Sequence, residues 1–355
     1  GDQYEFFHYD SSADTWTSVQ GPDGITEWNS SSLEDGDQVY ANVENALGCS
    51  ANSDTITMTV FDNPEVFLSF PSGSNETCAN SDFSVEATSG FSNYVFYVNG
   101  TEVQNSASNS YTSNSFNDGD NIYVTASSGA GCSADSPTET ITVHPLPTAE
   151  ANNSGPVCEG LDVTLQGGPN GMTAYEWFDP NGNSISTSRN FDLTGVTLSD
   201  AGTYTLVVTD GNGCQGSQTT DVVVHEVPTV DLGADIEACE TTDVTFNASV
   251  GGGSTPYSFT WEKDGSIISG VSTSSYTITN VDLSDAGIYV VNVTDDNGCV
   301  SVRDTVELSV NEAPSVSFDA SSTQEVCEGE SIELDVTASG GDGSYTYEWY
   351  HDGTL

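Results

Sequence analysis

Residues 283–294 read LSDAGIYVVNVT, and this stretch decides the fold of the chain. The Ser-Asp-Ala-Gly segment is a turn signal, and after it Tyr289, Val291 and Val293 recur at every second position. Period-two spacing of apolar residues predicts a β-strand with one buried face. Residues 198–204 read LSDAGTY, so the same turn and strand are predicted a second time, earlier in the chain.

The surrounding sequence predicts further short strands of the same kind. They are VTFNA at 244–248, SFTWE at 258–262, SYTIT at 275–279 and VELSV at 306–310. Turn residues such as Asp264-Gly265 separate them, and no stretch shows sustained helical spacing. Six or seven strands in roughly 80 residues are typical of an all-β antiparallel sandwich.

A cysteine-bearing phrase recurs every 80 to 88 residues. It reads ALGC at 46–49, GAGC at 129–132, DGNGC at 210–214 and DNGC at 296–299, and a second cysteine follows each copy, at Cys78, Cys158, Cys239 and Cys327. A fixed period of this size predicts a tandem array of like domains. Pro64, Pro147, Pro228 and Pro314 mark the junctions. We therefore predict repeat 1 (residues 1–62, partial), repeat 2 (63–146), repeat 3 (147–227), repeat 4 (228–313) and repeat 5 (314–355, partial).

Composition excludes several classes of partner. The chain contains only three Lys and Arg residues but 54 Asp and Glu residues, which gives a formal net charge of −51. Such a surface repels nucleic acid and anionic lipid. There is no apolar run long enough to span a bilayer, so no membrane insertion is expected in this segment. The chain opens and closes inside a repeat, and we expect it to be a segment of a longer protein.

The eight cysteines are never closer than 25 residues and lack the Cys-x-x-Cys spacing of zinc or thioredoxin sites. In a chain this poor in lysine they predict disulfides in an oxidising compartment. The expected location is extracellular, at a cell surface.

The motifs resemble the immunoglobulin-like superfamily over the whole chain. The resemblance implies that Trp177, Trp261 and Trp349 take the place of the core tryptophan, and that Tyr204 and Tyr289 form the tyrosine corner. Two departures stand out. Leu206 and Val291 occupy the place of the second core cysteine, so the inter-sheet disulfide is missing. In repeat 2, Phe96 replaces the tryptophan, and an Asp-Gly-Asp turn replaces Asp-Ala-Gly in repeats 1 and 2.

Val-Cys-Glu-Gly at 157–160 and Val-Thr-Asp-x-Asn-Gly-Cys at 208–214 resemble the repeats of large surface proteins of Bacteroidetes, including SprB-type gliding-motility adhesins. The resemblance implies a cell-surface filament exported by the type IX secretion system. It covers the repeats only, because the family's C-terminal sorting domain is absent from this segment.

The immunoglobulin-like path places the two cysteines of one repeat at opposite ends of the sandwich, about 23 Å apart. Pairing between neighbouring repeats then predicts Cys78 with Cys214 and Cys158 with Cys299, and leaves Cys49, Cys132, Cys239 and Cys327 for partners outside the segment. Two alternatives stay open: pairing within a repeat (Cys78–Cys132, Cys158–Cys214, Cys239–Cys299), and free thiols.

Chemical sites are sparse. His8 and His351 fall at equivalent strand positions and His144 and His225 near repeat boundaries, and none has a second ligand at metal spacing. Calcium is the one cofactor considered, through Asp231, Asp235 and Glu237, or Asp35 and Asp37, or Asp118 and Asp120. Solvated acidic surface is the simpler interpretation of these carboxylates, so no cofactor is expected. Thr55 and Thr305 lie in Asp-Thr-aliphatic triplets that resemble an O-glycosylation motif of Bacteroidetes.

No pattern for a catalytic site is present, and no enzyme activity is expected. The first functional hypothesis is a structural segment of an extracellular filament or stalk. The alternatives are an array of glycan-binding modules and a spacer in a secreted polysaccharide-degrading enzyme. The expected partners are further copies of the repeat in the same chain, and surface polysaccharide or glycans.

Overall fold

The computed structural model describes residues 2–319 and 324–355. This part of the chain contains β-strands and two short 3-10 helices, Leu198–Asp200 and Leu283–Asp285, but no α-helix. The prediction of an all-β fold is confirmed. The chain forms two compact units: residues up to Leu146 together with Asn212–Cys214, and Pro147–Gly211 together with Gln215–Leu355.

In the first unit, repeat 1 contributes one five-stranded antiparallel sheet. Its strands are β1 (Gln3–Asp10), β2 (Thr15–Asp23), β3 (Gln38–Glu44), β4 (Ser50–Asn52) and β5 (Ile56–Thr57). The order is β2-β1-β3-β4, and β5 pairs with the other end of β3. Phe7 of β1 lies opposite Tyr40 of β3.

Repeat 2 completes the first unit with two facing sheets. Its strands are β6 (Leu68–Ser69), β7 (Glu76–Cys78), β8 (Phe83–Ala87), β9 (Asn93–Val98), β10 (Thr101–Ser106), β11 (Ser110–Ser113), β12 (Asn121–Ser127), β13 (Ser133–Asp135), β14 (Glu139–Thr140) and β15 (Thr142–His144). One sheet has the order β10-β9-β12-β13 with β14 on β12, and the other β11-β8-β6. Phe96, Ile122, Val124 and Ile141 are fully buried in its core.

Repeat 3 opens the second unit. Its strands are β16 (Glu150–Asn153), β17 (Val157–Cys158), β18 (Val163–Gly168), β19 (Ala174–Phe178), β20 (Ser184–Ser186), β21 (Asn190–Leu193), β22 (Gly202–Thr209), β23 (Gln215–Val222) and β24 (Val224–His225). The sheets have the orders β16-β18-β21 and β20-β19-β22-β23, and β17 pairs in parallel with β24. Trp177, Leu165 and Leu206 are fully buried in the core.

Repeat 4 has the same layout. Its strands are β25 (Thr229–Asp231), β26 (Ile236–Cys239), β27 (Val244–Asn247), β28 (Ser249–Gly251), β29 (Ser258–Lys263), β30 (Ser266–Ile267), β31 (Ser275–Ile278), β32 (Gly287–Thr294) and β33 (Asp304–Asn311). The larger sheet has the order β26-β33-β32-β29-β30, and β25-β28 and β27-β31 form the other side. Trp261, Phe246 and Tyr289 lie in the core.

Three features of repeats 3 and 4 define the sandwich type. Two sheets enclose one apolar core, a short early strand joins the last strand in parallel, and a 3-10 turn leads into the long strand that carries the buried tyrosine. These are the features of an immunoglobulin-like domain. The chain is a tandem array of immunoglobulin-like β-sandwich domains. The boundaries near 62, 146, 227 and 313 stay predictions.

Repeat 5 contributes β34 (Ser315–Phe318) and β35 (Val336–Ser339), which pair antiparallel. The prediction of a core position for Trp349 is wrong for this structure. Its side chain is 48% exposed and lies with its ring 5.9 Å from that of Phe318. The reason is that the described residues of repeat 5 form only this two-stranded sheet, so no facing sheet covers the indole ring.

Candidate functional site

In repeats 2, 3 and 4, the cysteine near the start of the repeat ends a short strand that runs parallel to the last strand of that repeat. Cys78 of β7 lies opposite His144 of β15, and Cys158 of β17 lies opposite His225 of β24. Cys239 ends β26 in the same way. The pairing with the last strand fixes each of these cysteines at the end of the sandwich where the chain leaves the repeat.

The other cysteine of a repeat closes a tight turn after the long strand, and we call this turn, such as residues 295–299 in repeat 4, the cysteine turn. In repeat 4 the Asp295 N–H donates to the Cys299 carbonyl at 3.0 Å, and the Asp295 carboxylate accepts from the Cys299 N–H at 2.8 Å. Gly298 has a φ of +83°, which favours glycine. The turn therefore holds the cysteine through both its backbone polar groups.

The Asp295 side chain is buried, which alone would raise the pKa of its carboxyl group. Hydrogen bonds from the backbone N–H groups of Ser254, Cys299 and Asn297 outweigh burial, and the positive field of His225 adds to them, so that the pKa of Asp295 is lowered. The carboxylate is thus ionised under ordinary conditions and ties residue 254 to the cysteine turn.

Repeats 1 and 2 form the same turn with different first residues. In repeat 1 the Asn45 side chain accepts from the Cys49 N–H at 3.0 Å. In repeat 2 the Ser128 N–H donates to the Cys132 carbonyl at 2.8 Å, but the Ser128 Oγ is buried without a hydrogen-bond partner, and it is the single such side-chain atom in the described residues. The turn geometry is therefore kept even where its side-chain hydrogen bond is lost.

Two disulfides join cysteines of neighbouring repeats. Cys78 of repeat 2 is bonded to Cys214 of repeat 3, with the Cα atoms 5.5 Å apart. Cys158 of repeat 3 is bonded to Cys299 of repeat 4, with the Cα atoms 5.6 Å apart. Both separations lie within the usual disulfide range. Each disulfide therefore links a strand end of one repeat to the cysteine turn of the next.

The other four cysteines carry free thiols. Cys49, Cys239 and Cys327 are exposed, whereas Cys132 is half-buried and its Sγ lies 3.8 Å from the Phe61 carbonyl oxygen. Cys49 and Cys132 occupy the cysteine turn, and Cys239 occupies the strand end, so these three free thiols lie at the same two places as the bonded cysteines. The expectation that they pair outside the segment stays a prediction.

The core residues anchor each repeat. Trp177 Nε1 donates to the Arg189 carbonyl at 3.1 Å, and Trp261 Nε1 donates to the Thr273 carbonyl at 3.0 Å, so both buried indole N–H groups are satisfied.

The place of the missing core disulfide in repeat 3 is filled by Leu206. A Cβ built on Gly167 would lie 3.0 Å from the Leu206 side chain, so a larger residue at position 167 has little room.

Tyr204 and Tyr289 make the hydrogen bonds of a tyrosine corner. The Tyr204 hydroxyl donates to the Asp200 carbonyl at 2.9 Å, and the Tyr289 hydroxyl donates to the Asp285 carbonyl at 2.8 Å. Burial, and next the negative charges of nearby aspartates, raise the pKa of both phenols above the ordinary value. Both tyrosines thus brace the 3-10 turn against the long strand.

In the Asp-Gly-Asp turns of repeats 1 and 2, the carboxylate of the second aspartate accepts a backbone N–H three residues earlier, as Asp200 and Asp285 do in repeats 3 and 4. Asp37 is buried, accepts from the backbone N–H groups of Glu34 and Ser11, and lies 2.6 Å from His8 Nε2. The two backbone donors, and then His8, hold the pKa of Asp37 well below its ordinary value. In repeat 2, Asp120 accepts from the N–H of Asn117 at 2.8 Å.

The carboxylates considered for calcium are engaged in hydrogen bonds to protein groups. Asp235 accepts from the Glu307 N–H at 2.9 Å, Glu237 from the Asn311 side chain at 2.8 Å, and Asp231 from the Gly233 N–H at 2.8 Å. Asp35 and Asp118 likewise accept from backbone N–H groups. Among residues 2–319 and 324–355, no three His, Cys, Asp or Glu side chains are grouped to hold a metal ion.

The remaining predicted residues are histidines and two threonines. His144 Nε2 is 3.0 Å from a Glu76 carboxylate oxygen, and the exposed His351 is 3.7 Å from Asp352. Thr55 and Thr305 are exposed, as an O-glycosylated residue needs to be, and their modification stays a prediction.

All three cationic side chains have polar partners. Arg303 pairs with the mostly buried Glu262 at 2.9 Å, Lys263 pairs with Asp264 at 2.9 Å, and Arg189 donates to Asn170. In the described ranges, no helix has the length and apolar character needed to cross a bilayer.

Comparison with known proteins gives limited sequence similarity. The chain matches no protein-family model. A decoration protein of Escherichia phage T5 is 36% identical over 81 residues, which are 23% of this chain and 49% of that protein. The chain thus spans about half the length of this curated relative.

Parts of the chain also align with solved structures that contain multiple immunoglobulin domains. The three N-terminal domains of the outer capsid protein Hoc of bacteriophage RB49 match 69% of this chain and 99% of their own length, with 15% identity and a TM-score of 0.36. Extracellular domains 3–5 of Drosophila OTK match 66% of this chain and 94% of their own length, with 14% identity and a TM-score of 0.34. At these identities and TM-scores, the alignments carry no conclusion about the function of this chain.

Proposed function

We propose that this chain is a structural segment of an extracellular repeat filament or stalk. The observation that carries the proposal is the pair of disulfides, Cys78–Cys214 and Cys158–Cys299, each of which joins neighbouring repeats. A disulfide that stabilised one small domain would close a loop inside that domain. These two instead fasten successive domains, which is the arrangement that a load-bearing array requires.

The charge distribution supports the same function. The net charge is −51, and all three cationic side chains are already engaged with neighbouring polar groups, so like-charged repeats repel one another. Repulsion opposes folding back of the array on itself.

The disulfides support secretion, because such bonds persist in oxidising compartments. The finer proposal is a cell-surface adhesin of the Bacteroidetes gliding-motility type, exported by the type IX system. It rests on the Val-Cys-Glu-Gly and Val-Thr-Asp-x-Asn-Gly-Cys phrases around the bonded cysteines. The role proposed is non-enzymatic.

Negative-stain electron microscopy of the intact natural protein tests the proposal. We expect thin strands in which domains follow in single file, and we expect dithiothreitol to increase their bending. A field of compact globules, unchanged by the reductant, would contradict a filament.

A second candidate function, glycan binding, is favoured by one observation. Repeats 1 and 2 carry stacked aromatic pairs at equivalent positions of adjacent strands, Phe7–Tyr40 with ring centroids 4.9 Å apart and Tyr97–Tyr123 with centroids 4.8 Å apart. Surface aromatic rings can contact the apolar faces of sugars. Loss of polysaccharide binding in a Tyr97→Ala/Tyr123→Ala variant, with Phe67→Ala as the exposed aromatic control, would favour this function over the structural one.

A further inference from the structure

The loops closed by the two disulfides overlap in the sequence. Cys78–Cys214 spans 136 residues and Cys158–Cys299 spans 141. Cys158 lies within the first loop, and Cys214 lies within the second. The disulfides are therefore interleaved, and each loop contains one cysteine of the other.

Interleaving creates three covalent routes from Cys78 to Cys299 that are shorter than the backbone. The shortest crosses the first disulfide, runs back along the backbone for 56 residues from Cys214 to Cys158 and crosses the second disulfide. Another follows the backbone for 80 residues to Cys158 and crosses the second disulfide, and the third crosses the first disulfide and follows the backbone for 85 residues from Cys214. At about 3.5 Å per extended residue, these routes are about 200 Å, about 280 Å and about 300 Å long. The backbone alone covers 221 residues, or about 770 Å.

We infer that each disulfide alone limits how far this part of the chain can extend under tension, so that the pair is a redundant limit. With both disulfides intact, the limit between Cys78 and Cys299 is the shortest route, about 200 Å. Loss of Cys78–Cys214 leaves the 80-residue route and raises the limit to about 280 Å, and loss of Cys158–Cys299 leaves the 85-residue route and raises it to about 300 Å. Only the loss of both disulfides releases the full backbone, and the limit then rises nearly fourfold, to about 770 Å.

This behaviour distinguishes the observed connectivity from pairing within repeats. Bonds Cys78–Cys132, Cys158–Cys214 and Cys239–Cys299 would close separate loops that share no residues. Each loss would then add the length of its own loop, and the effects would sum. With interleaved disulfides, by contrast, removing both lengthens the extended chain by more than the sum of the two single increases. In the proposed load-bearing role, either disulfide would still limit extension after the other was lost. That role rests on the proposed function, whereas the length limit rests on the disulfides alone.

Single-molecule force spectroscopy on the whole chain, tethered at its two ends without reductant, tests the inference. The parent protein carries Ser at Cys49, Cys132, Cys239 and Cys327, so that only the four bonded cysteines remain. It is compared with Cys78→Ser/Cys214→Ser, with Cys158→Ser/Cys299→Ser, and with the protein that carries all four of these replacements. Peptide mass spectrometry first establishes which disulfides each preparation contains.

We expect the unfolded Cys78→Ser/Cys214→Ser variant to be longer than the parent by about 80 Å and the Cys158→Ser/Cys299→Ser variant by about 100 Å. The quadruple replacement should be longer by about 570 Å, far more than the sum of these two increases. Dithiothreitol should lengthen the parent as much as the quadruple replacement does, because each disulfide accepts two electrons and two protons, yielding two thiols while the reagent becomes a cyclic disulfide.

An increase of some hundreds of ångströms in either double replacement would overturn the inference. The contour length describes the unfolded chain, so a variant that folds poorly still gives a valid reading. Compact particles in electron microscopy would count against the filament but would leave these contour lengths unchanged, so the two proposals fail separately.

Discussion

At the scale of single residues, Gly167 shows how repeat 3 packs its core without the inter-sheet disulfide of antibody-type domains. A Cβ at this position would lie 2.6 Å from the Arg189 carbonyl oxygen as well as close to Leu206. The absence of a side chain lets the neighbouring strand approach and lets leucine fill the space between the sheets. Packing thus replaces a covalent bond in the core of repeat 3.

We expect Gly167→Ala to destabilise repeat 3 by about 1–3 kcal/mol, because the added methyl group overpacks the core. The measurement is hydrogen exchange of repeat 3 peptides in the full chain, since a multidomain protein need not unfold in one step. Gly211→Ala is the control, because a Cβ there meets nothing within 4 Å. Equal protection in the two variants would contradict the packing role of Gly167.

Tyr289 makes the stability of repeat 4 fall at alkaline pH. Its folded pKa is raised above the ordinary value, so its contribution is fully present below about pH 10 and is lost as the pH rises above that value. Tyr289→Phe should cost about 0.5–1.5 kcal/mol at pH 7 by removing the hydrogen bond to Asp285. It should also flatten the loss of repeat 4 stability between about pH 10 and about pH 11.5, measured by urea unfolding. A variant that follows the wild-type pH profile would contradict this account.

At the scale of elements, the cysteine turn is one structure built from different sequences in repeats 1, 2 and 4. Asn45 and Asp295 each supply a side-chain acceptor for the cysteine N–H, whereas Ser128 leaves its hydroxyl unpartnered. The turn survives this loss because the backbone hydrogen bond between its first residue and its cysteine persists. The side chain therefore adds stability to a turn that the backbone already specifies.

Ser128→Asp should supply the missing acceptor and stabilise the turn of repeat 2 by about 1 kcal/mol. Slower hydrogen exchange of the Cys132 amide is the expected sign. Ser128→Ala, which removes the hydroxyl without adding an acceptor, should leave that exchange rate unchanged. If Asp and Ala behave alike, the turn gains nothing from a side-chain acceptor.

Much of the fold follows from the sequence because its strands are long enough to show a period. Tyr289, Val291 and Val293 recur at every second position of one strand, and all three are buried, as that period predicts. The strand that ends at Cys158 has only two residues, too few to show any period. Sequence alone therefore left its parallel pairing with β24 undetermined, and with it the choice between cysteine partners.

Trp349 illustrates a different limit. Its neighbours resemble those of Trp261, and sequence similarity predicts the same buried place. Burial, however, depends on a second sheet, and the described part of repeat 5 has none to cover it. A local motif can specify a strand, but only the facing sheet can bury it.

At the scale of the whole molecule, the disulfide across the junction of repeats 3 and 4 gives a direct test. Insertion of a site for a sequence-specific protease after Glu226 allows the backbone to be cut between Cys158 and Cys299. We expect the two products to stay joined without reductant and to separate with dithiothreitol, as seen by gel electrophoresis.

The Cys158→Ser/Cys299→Ser variant is the matched control for that cut and should separate without reductant. Products of the unsubstituted protein that separate under oxidising conditions, together with a Cys158–Cys214 peptide, would show pairing within repeat 3 instead.

The spacing of the bonded cysteines also sets an order of events during synthesis. A chain grows from its N-terminus, so Cys78 exists 136 residues before its partner Cys214. The buried core of repeat 2 draws on residues 66–141 and includes no cysteine, so this repeat can fold while Cys78 is still a thiol. Cys158 waits in turn for Cys299. Each covalent closure therefore follows the folding of the next repeat, and a nascent array carries an open thiol at its growing end.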